Sequence, residues 1–214
     1  MSDVRVDVIA IGSLAKNKYW NEKTPVRSEF ATATLVRSGE VCLMVDPGWP
    51  AEVLRAALWY RAGLEPEAVT HVFLTHFDAA HFGGIDLFEG AAWSMYDEEI
   101  RFAQAEAGTD GLGGRVLERV RPAPDRFADG VDLFPTFGPS PGHCSLLVYT
   151  VLAATVVAGD IVLTGDHFAR GNLGEEPWDL AQAKESFQDV IEVADLLIPG
   201  HDNLVVCRAG GGLA

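Results

Sequence analysis

Four times in this chain an apolar or tightly turning run stops directly on a histidine or an aspartate. VTHVFLTH ends on His76, PSPGH on His143, TVVAGD on Asp160 and DLLIPGH on His201. Three of these runs are short, β-branched and apolar, the pattern of strands buried on both faces. Sites in layered α/β proteins sit beyond strand ends. Four such deliveries therefore predict one polar centre at the edge of a buried sheet, and four unrelated core histidines do not explain them as simply.

The rest of the chain supplies the layers. VRVDVIAIGS reads as a strand, and EFATATLVRSGEVCLMVDPG as a hairpin turning at Arg37-Ser38-Gly39-Glu40. Pro50 to Ala62 reads as a helix with Val53, Leu54, Ala57, Leu58 and Ala62 on one face. AAWSMY is a strand candidate, and Asp97 opens a helix running to about Ala107. Gly108 to Gly130, rich in Gly, Pro, Arg and Asp, reads as a long loop. GVDLFPTFG, SLLVYTVLA and TVVAGDIVL follow as strands. A helix from about Trp178 to Ala194 then presents Ala181, Phe187, Val190, Ile191 and Ala194. Strands with helices after them in both halves predict two face-to-face sheets with helices outside. With no repeat, low-complexity segment or linker, residues 1–214 read as a single domain.

Charge narrows the partners. A net charge of −15 sets the surface against phosphate backbones and anionic lipid heads, so no nucleic-acid or membrane partner is expected. The three cysteines, Cys42, Cys144 and Cys207, have no C-x-x-C spacing and form neither a disulfide framework nor a thiolate site. MSDVRVDVIA has no basic segment followed by a long apolar one, so a cytoplasmic location is expected. A homodimer is compatible with the sequence, which does not specify the oligomeric state.

The densest chemistry lies in THFDAAHFGG. His76 and Asp78, two apart, face one side if the chain is extended, and His81 swings back from the turn that follows. Gly83-Gly84 permits a sharp bend near a metal. Imidazole with carboxylate suits zinc or iron.

The order T-H-x-D-x-x-H-x-G-G, then P-G-H, G-D and P-G-H resembles the metallo-β-lactamase superfamily, as does VDPG around Asp46. The resemblance spans about Glu29 to His201. It implies a four-layer αββα sandwich with His76, Asp78, His81, His143, Asp160 and His201 as metal ligands. His76 and His143 would serve one metal position, His81 and His201 a second, and Asp160 would bridge both. It also implies one or two zinc ions, with iron or manganese as alternatives, and metal-assisted hydrolysis of a small ester, lactone or thioester. Asp160 would be catalytic, holding the metals and orienting the water. Asp46 would orient a ligand without binding metal itself. The chain departs from the family pattern at Asp78, where a second histidine is usual, and at Ala80, where an aspartate is usual. Ala80 cannot bind metal. That departure keeps two other readings open, a mononuclear iron enzyme and a binding protein that lost its chemistry; a nuclease fits the acidic composition less well.

Other candidates carry less. His71 begins the His76 strand and belongs at its far end. His167 and Asp166 fall in a polar loop where family members contact substrate. Cys144 points away from His143 as a core residue. Tyr19, Trp20 and Trp49 read as packing aromatics.

Overall fold

A computed structural model describes residues 4–207 except Ala107, Thr109 and Glu175. The first sheet is built from β1 (Arg5–Ala10), β2 (Ala33–Ser38) and β3 (Val41–Val45), followed by helix α1 (Ala51–Ala62) and β4 (His71–Leu74). One-turn helix α2 (Ala79–Phe82), β5 (Ala92–Met95), α3 (Asp97–Glu106), α4 (Gly111–Arg119) and β6 (Arg121–Pro122) complete the first half. The second sheet takes β7 (Arg126–Ala128), β8 (Val131–Pro135), β9 (Cys144–Tyr149) and β10 (Ala154–Gly159). After α5 (Gly165–Ala169) and α6 (Leu180–Val193), β11 (Leu196–Pro199) and β12 (Val205–Val206) close it.

The first sheet runs in sequential order, β1 to β6, antiparallel up to β3 and parallel beyond it. The second runs from β12 to β7, with β10 and β11 parallel and the other pairs antiparallel. A strand's period of two explains the layering. On β3, Leu43 and Val45 face the other sheet while Met44 faces the helices. On β4, Phe73 points inward between Val72 and Leu74; on β10, Val157 does the same between Val156 and Ala158. Three apolar clusters result. One lies between the sheets, one joins the first sheet to α1, α3 and α4, and one joins the second sheet to α6. The expected αββα sandwich is therefore present. Fully burying a side chain such as Phe73 contributes about 1.5–3 kcal/mol.

Local expectations differ from the structure in four places. Residues 108–130 are not one loop: Leu112 and Val116 pack against the first outer cluster, Leu117 is buried beside them in sequence, and together they form the apolar face of α4. Three glycines in GLGGRVLER lower its intrinsic helicity, and tertiary burial overrides that cost. On α1 the buried stripe is only Leu54 and Leu58, while Val53 is exposed. On α6, Ala183 and Ser186 join Phe187 and Val190 inside, whereas Ala181 is exposed. The segment around His167 is the short helix α5, capped by Thr164, with His167 buried.

Two glycines set the path of the chain at the sheet edge. Gly159 ends β10 at φ +57°, and a β-carbon there would lie 2.8 Å from His143 Nε2, so the turn delivering Asp160 requires glycine. Gly48 lies so close to Ala80 that a β-carbon would collide with its carbonyl, which brings the segment after β3 against α2.

Candidate metal centre

The sequence-predicted residues meet at the ends of β4, β9, β10 and β11. Each histidine is aimed by what holds its Nδ1. His76 Nδ1 is 3.1 Å from Thr75 Oγ1. That hydroxyl gives its own proton to Asp46 Oδ2 at 2.9 Å, so His76 donates to it. His81 Nδ1 lies 3.0 Å from Asp46 Oδ2. His143 Nδ1 donates to the Thr136 carbonyl at 3.0 Å, and His201 Nδ1 to the Phe30 carbonyl at 3.0 Å. Carbonyls and carboxylates only accept, so the proton of each neutral ring sits on Nδ1 and the lone pair on Nε2.

Those Nε2 atoms converge on Asp160. Its Oδ1 lies 3.2 Å from His81 Nε2 and 3.2 Å from His201 Nε2, and its Oδ2 lies 3.6 Å from His76 Nε2. Donor atoms of His76, His81 and Asp160 all fall within 4.8 Å of one another. His81 Nε2 and Asp160 Oδ1 are both buried and neither has a hydrogen-bond partner. An acceptor facing an acceptor at this range requires a cation or a proton between them. Tetrahedral zinc with N and O ligands at about 2.1 Å separates its ligand atoms by roughly 3.4 Å. These spacings and this donor set fit a divalent metal.

The remaining two predicted residues sit differently. His143 lines the same edge, its ring 5.3 Å from that of His76, but its Nε2 accepts the Asp160 N–H at 3.0 Å. Asp78 is exposed at the rim, where Oδ1 accepts the Ala80 N–H at 2.8 Å and caps α2.

Electrostatics follow from this arrangement. Burial, together with the neighbouring His76, pushes His143 down to about 3. Burial and the charge of His81 also lower His76. At His81 burial opposes the charged form, but Asp46 and Asp160 outweigh it and hold the pKa well above the usual histidine value. His201 is likewise raised, Asp160 overcoming burial. Asp160 itself would be raised by burial, yet His201, His81 and His76 keep it well below the usual carboxylate range. The carboxylates that would favour a cation at this centre thus also favour the protonated forms of His81 and His201 in its absence.

Asp46 has the supporting role expected of it. At φ +50°, it accepts from the Thr75 N–H through Oδ1 (2.9 Å) and reaches Thr75 Oγ1 and His81 Nδ1 through Oδ2. Replacing Asp46 by Ala frees His81 to rotate and to take the other tautomer. Metal affinity is expected to fall about 10–100-fold, the usual effect of losing such a partner, measured by competition with a chromophoric chelator.

Two carboxylates were not legible in the sequence. Glu99, 1% exposed on α3, accepts from Phe77 N–H (3.0 Å), Ser140 Oγ (2.6 Å) and Gly142 N–H (2.9 Å), tying the loop of His76 to the loop of His143. In D-E-E it looks like any acidic first turn. Glu29, just before β2, places Oε1 3.8 Å from His201 Nε2. A cleft of about 590 Å³ opens onto the centre between Glu29, Phe30, Pro50, Asp78, Ala80 and His201.

The less favoured candidates also have places. His71 stands at the opposite end of β4, bonded to Thr70 Oγ1 at 2.8 Å. Cys144 is buried between the sheets, and burial pushes its thiol up to about 12. Tyr19 packs edge-on against His167, Trp20 Nε1 donates to Asp166 Oδ2 at 3.1 Å, and Trp49 stacks on Phe30.

A family model described as the metallo-β-lactamase superfamily matches residues 27–201. The chain belongs to this superfamily. Metallo-β-lactamase domain-containing protein 1 of Homo sapiens is 31% identical over 189 residues, covering 85% of this chain. The protein of the same name in Xenopus laevis is 30% identical over 174 residues, covering 79% of this chain and 70% of its own length. The chain spans 65% of the length of the human relative. Among solved structures, one from Thermotoga maritima matches with a TM-score of 0.72 at 21% identity, over 95% of this chain and 99% of that one. A dizinc quorum-quenching lactonase matches with a TM-score of 0.68 at 16% identity, over 85% and 77%. A mutant from B. thuringiensis with N-decanoyl-L-homoserine at its active site matches with 0.69 at 18%, over 94% and 93%. These likenesses establish the superfamily's fold. No helix among the described residues is long and apolar enough to cross a membrane.

Proposed function

We propose that this chain is a metal-dependent hydrolase, zinc being the favoured ion, acting on a small neutral ester, lactone or thioester. The observation that carries the reading is the pair of orphaned, buried acceptors, His81 Nε2 and Asp160 Oδ1, with His201 Nε2 and His76 Nε2 aimed at the same carboxylate. In this reading Asp160 Oδ2, His76 and His143 face one metal position, and Asp160 Oδ1, His81 and His201 a second. His143, and Asp78 from the rim, would be the further residues able to hold the ion.

A bound divalent cation would supply Lewis acidity and lower the pKa of its water to about 7. The chain's own residues do the rest. Asp160 balances the cation's charge and orients water from its free lone pairs. The Nδ1 anchors keep four lone pairs pointed inward, so the site is pre-organised. Phe30 and Pro50 give the cleft an apolar wall. Its charged lining residues are Glu29, Asp78 and Asp160, and none of the described lining residues is Lys or Arg. Such a cleft favours an uncharged acyl substrate over a phosphodiester. The lactonases among the structural matches support the same substrate class.

A mononuclear reading rests on Ala80, which offers no ligand. The test is hydrolysis of a panel of acyl lactones, aryl esters and acyl thioesters by protein depleted with chelator and then reloaded with zinc, manganese or iron(II). The expected result is activity on at least one acyl class that disappears with the metal and returns with zinc. Protein that binds no metal, or loaded protein inert to the panel, rejects this reading.

A further inference from the structure

The superfamily's pattern places a carboxylate where this chain has Ala80, and the structure brings a different carboxylate to that corner of the cleft. Glu29 Oε1 lies 3.8 Å from His201 Nε2, the atom that also faces Asp160 Oδ1 at 3.2 Å. Its position is built rather than incidental. The residue after it, Phe30, holds His201 Nδ1 through its carbonyl at 3.0 Å. The next, Ala31, donates its N–H to the carbonyl of Ala80 itself at 2.9 Å. Phe30 also bridges to Ser13 in both directions, at 2.8 and 3.1 Å. Glu29 Oε2 accepts the Ala15 N–H at 3.4 Å, leaving Oε1 as the oxygen turned toward His201.

An independent observation points to a cation there. The His201 side chain is 1% exposed, and its Nε2 lone pair faces oxygens of two carboxylates. His81 Nε2, fully buried, faces the same Asp160 oxygen with no hydrogen-bond partner. Glu29 Oε1, His201 Nε2, Asp160 Oδ1 and His81 Nε2 thus follow one another as a line of acceptors, and positive charge between them reconciles their approach. The separations of 3.2, 3.2 and 3.8 Å are near the roughly 3.4 Å edge of a tetrahedral zinc site.

We propose that Glu29 replaces the carboxylate missing at position 80 and completes the second metal position with His81, His201 and Asp160. This rests on the metal-binding reading above. It assigns a ligand from the β1–β2 connection in place of one from the first histidine motif, and it makes the second metal compatible with Ala80.

The test is metal stoichiometry and stepwise zinc affinity in the full chain, by plasma mass spectrometry and chelator competition, for wild type, Glu29→Gln and Glu29→Gln combined with Ala80→Asp. The amide introduced by Glu29→Gln still accepts the Ala15 N–H but carries no charge, and circular dichroism checks the fold of the variant. Wild type is expected to hold two zinc ions. Glu29→Gln is expected to hold one tightly, with the second step weakened by at least about 100-fold. Ala80→Asp is expected to restore the second ion. A Glu29→Gln chain that keeps both steps unchanged overturns the proposal, leaving Glu29 a simple ion-pair partner of protonated His201. So does a wild type that takes up one ion, although the hydrolase reading survives that result. A wild type that binds none rejects both.

Discussion

Asp160→Ala is expected to purify without metal and to resist reloading with zinc, as read by plasma mass spectrometry. Asp160 provides the charge at which three inward lone pairs are aimed, with Oδ1 serving His81 and His201 and Oδ2 serving His76. On the proposed reading its loss would remove the carboxylate shared by both positions. The affinity loss should therefore exceed the roughly 10–100-fold caused by removing an outer partner such as Asp46. The chain path should persist, because the backbone N–H of residue 160 still reaches His143 Nε2. The pH dependence of wild-type binding supplies a second readout. In the metal-free protein His81 and His201 have raised pKa values, so a metal must displace their protons. Zinc affinity is expected to rise with pH from the ordinary histidine range up to those raised values, by roughly tenfold per unit for each proton displaced. Metal-free stability changes in the opposite direction. The contribution of these two raised histidines is fully present below their unfolded pKa and is lost as pH climbs through their folded values. Asp160→Ala removes the main attraction that raises His201 and part of that which raises His81, where Asp46 remains, and the pH slope of any residual binding should flatten. A variant that loads zinc like wild type would place the metal elsewhere.

Glu99→Ala is expected to cost about 3–5 kcal/mol, because it strands the buried Gly142 N–H, the part-buried Phe77 N–H and the Ser140 hydroxyl. For a chain of this size that lowers Tm by about 6–20 °C. The loss should extend to function, since Glu99 ties the His76 loop to the His143 loop beside the Cys144 N–H to Thr75 carbonyl bond. Zinc affinity should fall as well, within about 10–100-fold. Glu99→Gln should lie between, because an amide presents oxygen to one loop but hydrogen to N–H or O–H donors of the other. Gly142 packs so tightly on Glu99 that no side chain fits between them, so the helix cannot slide to compensate. Equal Tm and zinc affinity in Glu99→Ala and wild type would show that the two loops are held by other contacts.

The layers were readable because their signal is local. Alternate residues of β3, β4 and β10 go to opposite faces, and since both faces are buried the strands appear as unbroken apolar runs. Helix α4 was hidden because its glycines contradict a burial that exists only after the first sheet forms. The short helix α5 was hidden for a similar reason: Thr164 caps it and orients His167 into the packing of Tyr19, and a polar string alone does not show this. Asp46 was legible through its V-D-P-G setting. Glu99 and Glu29 were not, since the groups that give them meaning are distant along the chain and each sits in an ordinary acidic stretch.

The sequence by itself determined which side chains reach the sheet edge. A buried strand that ends on His76, Asp160 or His201 has one exit from the core, and the glycines beside Asp160 and His201 permit the turn. Tertiary structure alone decided how those side chains point and what charge surrounds them. A neutral imidazole offers its lone pair from whichever nitrogen its partner leaves free, and here the partners are Asp46 across the sheet, Thr136 across a loop and Phe30 from the β1–β2 connection. Those contacts, with Thr75 at His76, turn four histidines into inward-facing acceptors, and the segment of Phe30 brings Glu29 to the corner where Ala80 has nothing to offer.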